Sequence, residues 1–230
     1  MGEREMVRAV IFDVDGTLID SVDLHAQAWQ QALAHFGHEE PYEKVRHQIG
    51  KGGDQLMPVF LSEEELKEYG EELEIFRGEL YRNELMKRVA PFPRVRELFE
   101  RLRIDGKQIA LASSAPEPEL KYYKELLNID DLIEAKTSAD DADRSKPFPD
   151  IFAAALGQLD GVSAEEAVVI GDTPYDALAA GKINMETIGV LCGGFPEQEL
   201  LDAGCVAIYT SPADLLDHYD ESVLGTARAA

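Results

Sequence analysis

Residues 7–17 read Val-Arg-Ala-Val-Ile-Phe-Asp-Val-Asp-Gly-Thr, a mainly apolar run that ends in two aspartates. A short apolar run such as Val7–Phe12 is typical of a buried strand in a parallel sheet. Side chains two positions apart in a strand point the same way, so Asp13 and Asp15 are predicted to converge. Open α/β sheets bind ligands at the carboxyl ends of their strands. This stretch therefore predicts an α/β domain with an acidic site after its first strand.

Five further apolar runs alternate with amphipathic segments along the rest of the chain. Prolines at positions typical of helix starts, such as Pro93 and Pro147, lie between these runs. Strands that alternate with helices predict a layered α/β fold with right-handed crossovers. The predicted strands are Gln108–Ala112, Leu132–Lys136, Ala167–Ile170, Glu186–Leu191 and Cys205–Tyr209.

One long segment, residues 20–87, interrupts this alternation because it has helical patterns and no strand. Ser21 is a candidate N-cap for its first helix. Ser62–Glu65 has the pattern of a capping box that begins a second, longer helix. We therefore expect a helical insertion at residues 20–87 between the two parts of a core domain, residues 1–19 and 88–230.

The charge balance excludes one large class of partner. The 230 residues include 45 acidic and 22 basic side chains, which gives a formal net charge of −23. Phosphate backbones require clustered Lys and Arg, so we expect no binding to nucleic acid.

No run approaches the ~18 apolar residues of a membrane span. The N-terminus lacks the apolar region of a signal peptide, and Cys192 and Cys205 have no disulfide or metal spacing, so a cytoplasmic protein without membrane contact is expected.

Polar residues follow three later strands. Ser113 and Ser114 end the second strand, Lys146 follows the third, and Asp172 and Asp176 follow the fourth. Taken singly, a turn serine, a surface lysine and two helix-capping aspartates would explain them. Carboxylates that crowd at one sheet edge repel each other unless a cation is present, and Mg²⁺ prefers oxygen ligands. Together these residues predict a magnesium and phosphate site.

The ordered set of motifs resembles the haloacid dehalogenase-like (HAD) superfamily of phosphohydrolases. Asp20-Ser21 with His25 and Trp29 further resembles its phosphoglycolate phosphatase and β-phosphoglucomutase branch. The resemblance spans nearly the whole chain and implies a Rossmann-like parallel-sheet core with an inserted four-helix cap, as a monomer or homodimer. The shared motifs are Asp-x-Asp-Gly-Thr at 13–17, Ser113 after the second strand, Lys-Pro-x-Pro-Asp at 146–150 and Gly-Asp-x-x-x-Asp at 171–176.

The resemblance also implies roles for these residues. Asp13 would be the nucleophile and Asp15 the general acid and base, while Lys146 would stabilise the charge on the phosphoryl group. An aspartate at position 15 favours phosphate esters over carbon–halogen bonds. The implied Mg²⁺ ligands are Asp13, the backbone carbonyl of Asp15 and Asp172, with Asp176 in support. The predicted contacts to the phosphorylated metabolite are Ser113, Ser114, Gly16 and Thr17 in the core, with His25 and Lys51 as candidates in the insertion.

Two alternatives to a phosphatase stay open on the sequence. A β-phosphoglucomutase-like enzyme usually has Glu-Asp where this chain has Gly171-Asp172, and Glu117 would repel the second phosphate that such a mutase binds. A non-catalytic protein that binds a metabolite is the other alternative. Substrate choice is expected to depend on the insertion, where Lys51 lies in a glycine-rich loop. A solvated lysine and a packing role for His25 explain those two residues equally simply.

Overall fold

A six-stranded parallel sheet with helices on both faces forms the core of the computed structural model, which describes residues 6–225. The strands are β1 (Ala9–Phe12), β2 (Ile19–Asp20), β3 (Ala90–Pro91), β4 (Gln108–Ala112), β5 (Ala135–Thr137), β6 (Ala167–Gly171), β7 (Glu186–Val190) and β8 (Cys205–Tyr209). The helices are α1 (Val22–His35), α2 (Tyr42–Arg46), α3 (Gly53–Leu56), α4 (Glu63–Leu80), α5 (Val95–Ile104), α6 (Glu117–Leu127), α7 (Asp150–Gly157), α8 (Pro174–Gly181), α9 (Glu197–Asp202) and α10 (Pro212–Asp217). Short helical turns include a π-helical turn at Tyr81–Leu85.

The sheet has the strand order β5-β4-β1-β6-β7-β8, and β1 lies at its centre. Ala9 is in register with Gln108 of β4 on one side and with Ala167 of β6 on the other. Chain connections diverge from β1 toward the two edges, which creates the crevice where α/β sheets bind ligands. The predicted α/β class is confirmed, and Asp13 emerges at the middle of the carboxyl edge.

The side chains of β1 divide between two hydrophobic clusters. Val10 and Phe12 pack with α5, α6 and α10, while Ala9 and Ile11 pack with α7 and α8. This alternation explains why the strand is apolar on both faces, as a central parallel strand must be.

The third predicted strand was wrong in its bounds, while the other five differ from the structure by at most two residues at one end. Leu132–Lys136 was predicted, whereas β5 begins at Ala135 and ends at Thr137. Leu132 and Ile133 are apolar because they pack, partly buried, against the larger cluster before the chain joins the sheet. The run of apolar residues therefore reflects packing outside the sheet as well as strand pairing.

The helical segment follows β2 and precedes β3, and these two strands pair antiparallel with Ile19 opposite Pro91. The sequence did not predict this two-residue ribbon, which joins the segment to the core. Two long helices, α1 and α4, and two short ones, α2 and α3, bury a separate cluster that includes Trp29 and Leu73. The capping box at Ser62 is confirmed, since its Oγ accepts from Glu65 N at 3.3 Å.

Within residues 6–225, no helix has the length and apolar character needed to cross a membrane.

Candidate active site

Asp13 and Lys146 form the buried centre of the site. Asp13 follows β1, its backbone N–H donates to Ile170 O at 2.9 Å, and its side chain is almost fully buried. The Lys146 ammonium, 1% exposed, donates to Asp13 Oδ1 and to Asp176 Oδ1, the latter at 2.7 Å. The carboxylates of Asp13 and Asp176 keep the pKa of Lys146 above its ordinary value even though burial opposes this. Lys146 is therefore a fixed positive charge beside Asp13.

Asp172 lies on the other side of Asp13. Thr17 Oγ1 donates to Asp172 Oδ1 at 2.9 Å, while Asp172 Oδ2 is buried and has no hydrogen-bond partner among residues 6–225. Gly16 has a φ of +82°, and a Cβ at this position would lie 2.3 Å from Asp172 Oδ2. The turn after β1 thus leaves room for this buried carboxylate oxygen, which has no partner among the described residues.

Three buried carboxylates share this region with a single ammonium. Oxygens of Asp13, Asp172 and Asp176 all lie within 4.8 Å of one another. Burial raises the pKa of Asp13 to about 7, with Asp176 adding to the rise and Lys146 opposing it. Burial also raises the pKa of Asp172 well above its ordinary value, with Asp13 adding to this rise. An excess of buried negative charge with an unpartnered oxygen fits a hard divalent cation such as Mg²⁺.

The carboxylate of Asp15 belongs to a different hydrogen-bond network. Ser21 Oγ donates to Asp15 Oδ1 at 2.6 Å, and His25 Nε2 lies 2.9 Å from the same oxygen. Since a carboxylate can only accept, His25 Nε2 carries a hydrogen in this contact. Burial alone would raise the pKa of Asp15, but His25 and Ser21 outweigh it and the pKa lies below its ordinary value. The prediction that Ser21 caps α1 was wrong, because no side-chain capping bond forms there and its hydroxyl donates to Asp15 instead.

Two tyrosines extend the Asp15 network. The His25 ring stacks on Tyr81 with the ring centroids 3.9 Å apart. The hydroxyls of Tyr81 and Tyr123 are hydrogen-bonded, and Tyr123 Oη lies 3.4 Å from His25 Nε2. Sequence analysis did not identify either tyrosine, because they come from the π-helical turn and from α6 and share no local pattern. His25 is thus a packed and hydrogen-bonded residue in direct contact with Asp15.

A cavity of about 270 Å³ lies between the sheet edge and the helical segment. Ser113 and Thr17 are fully buried behind its wall, where Ser113 Oγ accepts from Ala115 N at 3.0 Å. Gly16 is also buried. Ser113, Thr17 and Gly16 therefore support the site from within the protein instead of lining its surface. The predicted site residues that line the cavity are Asp13, Asp15, His25, Lys51, Ser114 and Lys146.

The glycine-rich loop contacts both the cavity and the core. Lys51 Nζ donates to Gln48 Oε1 at 2.6 Å and lies 4.7 Å from the centroid of the Tyr175 ring. Partial burial lowers the pKa of Lys51. Tyr175 Oη donates to His47 O at 2.7 Å, and Arg46 Nη2 donates to Gly193 O at 3.0 Å. The loop therefore closes one wall of the cavity and is held against two turns of the core.

Several charged residues on the cavity wall were missed by sequence analysis, namely Asp54, Glu74, Arg77, Glu119 and Asp143. Arg77 on α4 and Glu119 on α6 both line the cavity. Glu117, which was expected to face a second phosphate, forms an ion pair with Lys136 instead. No local sequence signal distinguishes Arg77 or Glu119 from the many other charged residues of the two helices.

Residues 10–190 match the family model of the haloacid dehalogenase-like hydrolases. The chain belongs to this family. The HAD-like chain is 30% identical over 188 residues to the phosphoglycolate phosphatase of Aquifex aeolicus. This alignment covers 81% of this chain and 86% of the relative. It is 29% identical over 220 residues to a phosphorylated carbohydrates phosphatase of Thermotoga maritima. This alignment covers 92% of this chain and 97% of the relative.

The solved structures agree with the family assignment. A hydrolase from Pseudomonas syringae superposes with a TM-score of 0.83 and 31% identity, covering 93% of this chain and 98% of that structure. The HAD resemblance, the α/β fold and the assignment as a HAD-family phosphatase are confirmed by these comparisons.

Proposed function

We propose that this HAD-family phosphatase hydrolyses a small phosphorylated metabolite with Mg²⁺ through an aspartyl-phosphate intermediate. The observation that carries this proposal is the pairing of Asp13 with the buried Lys146 at a cavity that Asp15 also lines. A nucleophile, a fixed positive charge and a proton-transferring group then face one substrate. The two relatives named phosphatases support the same reaction class.

Asp13 and Asp172 would hold the Mg²⁺, with the backbone carbonyl of Asp15 as a further ligand and Asp176 in support. The unpartnered Asp172 Oδ2 supports this assignment. When bound, the cation would supply positive charge that keeps the carboxylates ionised and neutralises the phosphoryl oxygens. Asp176 uses both oxygens in the fold, since Lys146 donates to Oδ1 and Thr173 to Oδ2.

In the first step, a carboxylate oxygen of Asp13 attacks phosphorus and the bond from phosphorus to the ester oxygen breaks. Asp15 has to carry a proton in the substrate complex for this step, even though His25 and Ser21 keep its pKa low in the free protein. It donates that proton to the ester oxygen, so the leaving group departs as a neutral alcohol. Lys146 offsets the negative charge of the Asp13 carboxylate and of the phosphoryl oxygens. His25 and Ser21 fix the orientation of Asp15, which makes them positioning residues.

In the second step, water attacks the phosphorus of the aspartyl phosphate. Asp15 removes a proton from that water, and the bond between phosphorus and the Asp13 oxygen breaks. Inorganic phosphate leaves, and Asp13 and Asp15 return to their initial states. Because proton transfer is needed in both steps, the Asp15 side chain has to reach the leaving oxygen and the water at the same place.

Two features favour hydrolysis over a phosphosugar mutase. A Cβ at Gly171, where such mutases carry glutamate, would lie 2.5 Å from Asp176 Cγ. On the cavity wall, a second phosphate would meet the buried carboxylate of Glu119. Position 171 therefore lacks room for the glutamate of such a mutase, and Glu119 would repel a second phosphate.

The test is hydrolysis of a panel of phosphate monoesters by the purified protein, with Mg²⁺ and after chelation. Turnover should require Mg²⁺, and acid-quenched protein should contain a phosphorylated peptide that includes Asp13. Full activity after chelation, or a phosphopeptide that excludes Asp13, would refute the mechanism. The free thiols of Cys192 and Cys205 suit a reducing compartment, and we propose a cytoplasmic location on that basis.

A further inference from the structure

Glu119 is a buried carboxylate with an unused oxygen on the cavity wall. The side chain is 0% exposed, and its Oε1 lies 3.4 Å from Arg82 Nη1. The other oxygen, Oε2, is buried and has no hydrogen-bond partner among residues 6–225. A buried carboxylate oxygen without a donor is costly, so an unused acceptor on a cavity wall points to a ligand that donates a hydrogen bond.

Arg77 brings an unused donor to the same cavity. Its guanidinium lies 4.8 Å from the centroid of the Trp29 ring, which fixes its position. Arg77 Nε is buried and, within the described part of the chain, has no acceptor. Burial raises the pKa of the nearby Tyr81. The charge of Glu119 adds to this rise and the charge of Arg77 opposes it, so both charged groups lie close to the buried Tyr81 hydroxyl.

We propose that Glu119 and Arg77 bind a hydroxyl group of the substrate's leaving group, which makes the substrate a phosphate monoester of an uncharged polyol. This inference rests on the proposed phosphatase function. A hydroxyl both donates and accepts, so it can donate to Glu119 Oε2 and accept from Arg77 Nε–H. A carboxylate can only accept, and Glu119 would repel it.

Glu119 and Arg77 are therefore expected to discriminate between two kinds of small phosphate ester. Glycerol phosphate and hexose phosphates offer hydroxyls, whereas phosphoglycolate offers a carboxylate. An aryl phosphate offers neither and reports on the shared phosphoryl chemistry alone. A site that is built to hydrogen-bond a hydroxyl discriminates strongly against substrates without it, because its polar groups then stay unpaired.

The experiment compares kcat/KM for glycerol phosphate, a hexose phosphate, phosphoglycolate and p-nitrophenyl phosphate. The wild-type protein should prefer the polyol esters to phosphoglycolate by at least about tenfold. Glu119→Gln should lower kcat/KM for the polyol esters relative to the aryl ester by about tenfold or more, mainly through KM. The matched control is Glu117→Gln on the same helix, whose carboxylate pairs with Lys136 and which should keep the wild-type ratio.

A second variant, Arg77→Lys, keeps the positive charge and removes the Nε–H donor. It should shift the ratio in the same direction, and it decides the question if thermal denaturation shows that Glu119→Gln does not fold. A wild-type preference for phosphoglycolate, an unchanged ratio in these variants, or equal losses on all four esters would overturn the inference. Absence of Mg²⁺-dependent hydrolysis of every ester, the aryl ester included, would instead overturn the proposed function.

Discussion

Asp13 and Asp15 are two positions apart in the chain and have opposite surroundings. Asp13 lies at the sheet edge among Asp172, Asp176 and Lys146, where burial raises its pKa to about 7. Asp15 lies in the turn toward the helical segment, where His25 and the Ser21 hydroxyl overcome the effect of burial and lower its pKa. The same side-chain type therefore meets two electrostatic environments within a single turn.

This difference indicates how one motif can supply two chemical roles. The carboxylate with excess negative charge around it is the one that needs a cation, and the carboxylate with hydrogen-bond donors around it is the one that is oriented. Two titratable groups whose surroundings separate their pKa values are a common mark of an active site. Substitutions in the two networks should therefore have different effects on turnover and on stability.

Asp13→Asn should lower kcat by at least about 10⁴-fold, because an amide does not act as the nucleophile at phosphorus. Steady-state hydrolysis of p-nitrophenyl phosphate measures this loss. The control is Asp20→Asn at the exposed end of β2, which should keep activity close to wild type. Activity of the Asp13 variant within tenfold of wild type would place the nucleophile outside the buried cluster.

Asp15→Asn should lower kcat by about 10²–10⁴-fold for an alkyl phosphate and less for a nitrophenyl ester, whose leaving group needs little proton transfer. Ser21→Ala removes one donor to the Asp15 carboxylate and keeps the carboxylate itself, so its loss should be smaller. A leaving-group series on both variants provides the measurement. Equal losses for good and poor leaving groups in Asp15→Asn would contradict the acid role.

Mg²⁺ should stabilise the fold more strongly as pH rises. Asp13 has an ordinary pKa of 3.8 and about 7 in the fold, so the metal-free protein loses stability as pH rises between these values. A bound cation removes this penalty and adds about 2.7 kcal/mol at a hundredfold excess over its Kd. Thermal denaturation with and without Mg²⁺ should therefore show a larger shift above pH 7 than at a pH between 3.8 and 7.

Single substitutions sharpen the thermal test. Asp172→Asn should abolish the Mg²⁺ shift and stabilise the metal-free protein at neutral pH, since the raised pKa of Asp172 marks an unfavourable buried charge. The ionised carboxylate of Asp15 contributes to the stability of the fold, because its pKa is lower in the fold than the ordinary value of 3.8. This stabilisation is present above pH 3.8 and is lost as the pH falls through the pKa of the folded state. Asp15→Asn should therefore destabilise at neutral pH. The same sign for both variants would contradict the electrostatic separation.

Lys51→Ala should have the smallest effect, a rise in KM for phosphate esters that corresponds to about 1–2 kcal/mol. The ammonium lies on the cavity wall of the helical segment, outside both aspartate networks. Lys44→Ala is the control, since this lysine pairs with Glu40 on the surface. An unchanged KM in Lys51→Ala would assign Lys51 to the contacts with Gln48 and Tyr175 alone.

The fold and the central residues could be predicted because local sequence encodes them. The strand Ala9–Phe12, within the predicted run Val7–Phe12, is buried on both faces, and each motif at a strand end lies at the sheet edge that its position predicts. The cluster of Asp13, Lys146 and Asp172 follows directly from that topology. Parallel strands bring their carboxyl ends together whatever the distance between them along the chain.

The rest of the site could not be predicted because it depends on contacts between distant helices. Tyr81 and Tyr123 meet 42 positions apart, and Arg77 and Glu119 share a cavity wall without any common motif. Ser21 has the residue type and position of a helix cap, and only the tertiary structure shows that its hydroxyl donates to Asp15. Local propensity gives way to tertiary contacts in each case.

Asp176 connects the architecture of the enzyme to its chemistry in a way that constrains its evolution. One carboxylate oxygen closes the capping box of α8 with Thr173, and the other accepts from the Lys146 ammonium. A variant library that was selected only for thermal tolerance would still retain aspartate here, as would one that was selected only for turnover. Position 176 should therefore tolerate almost no drift, even in a lineage whose substrate has changed.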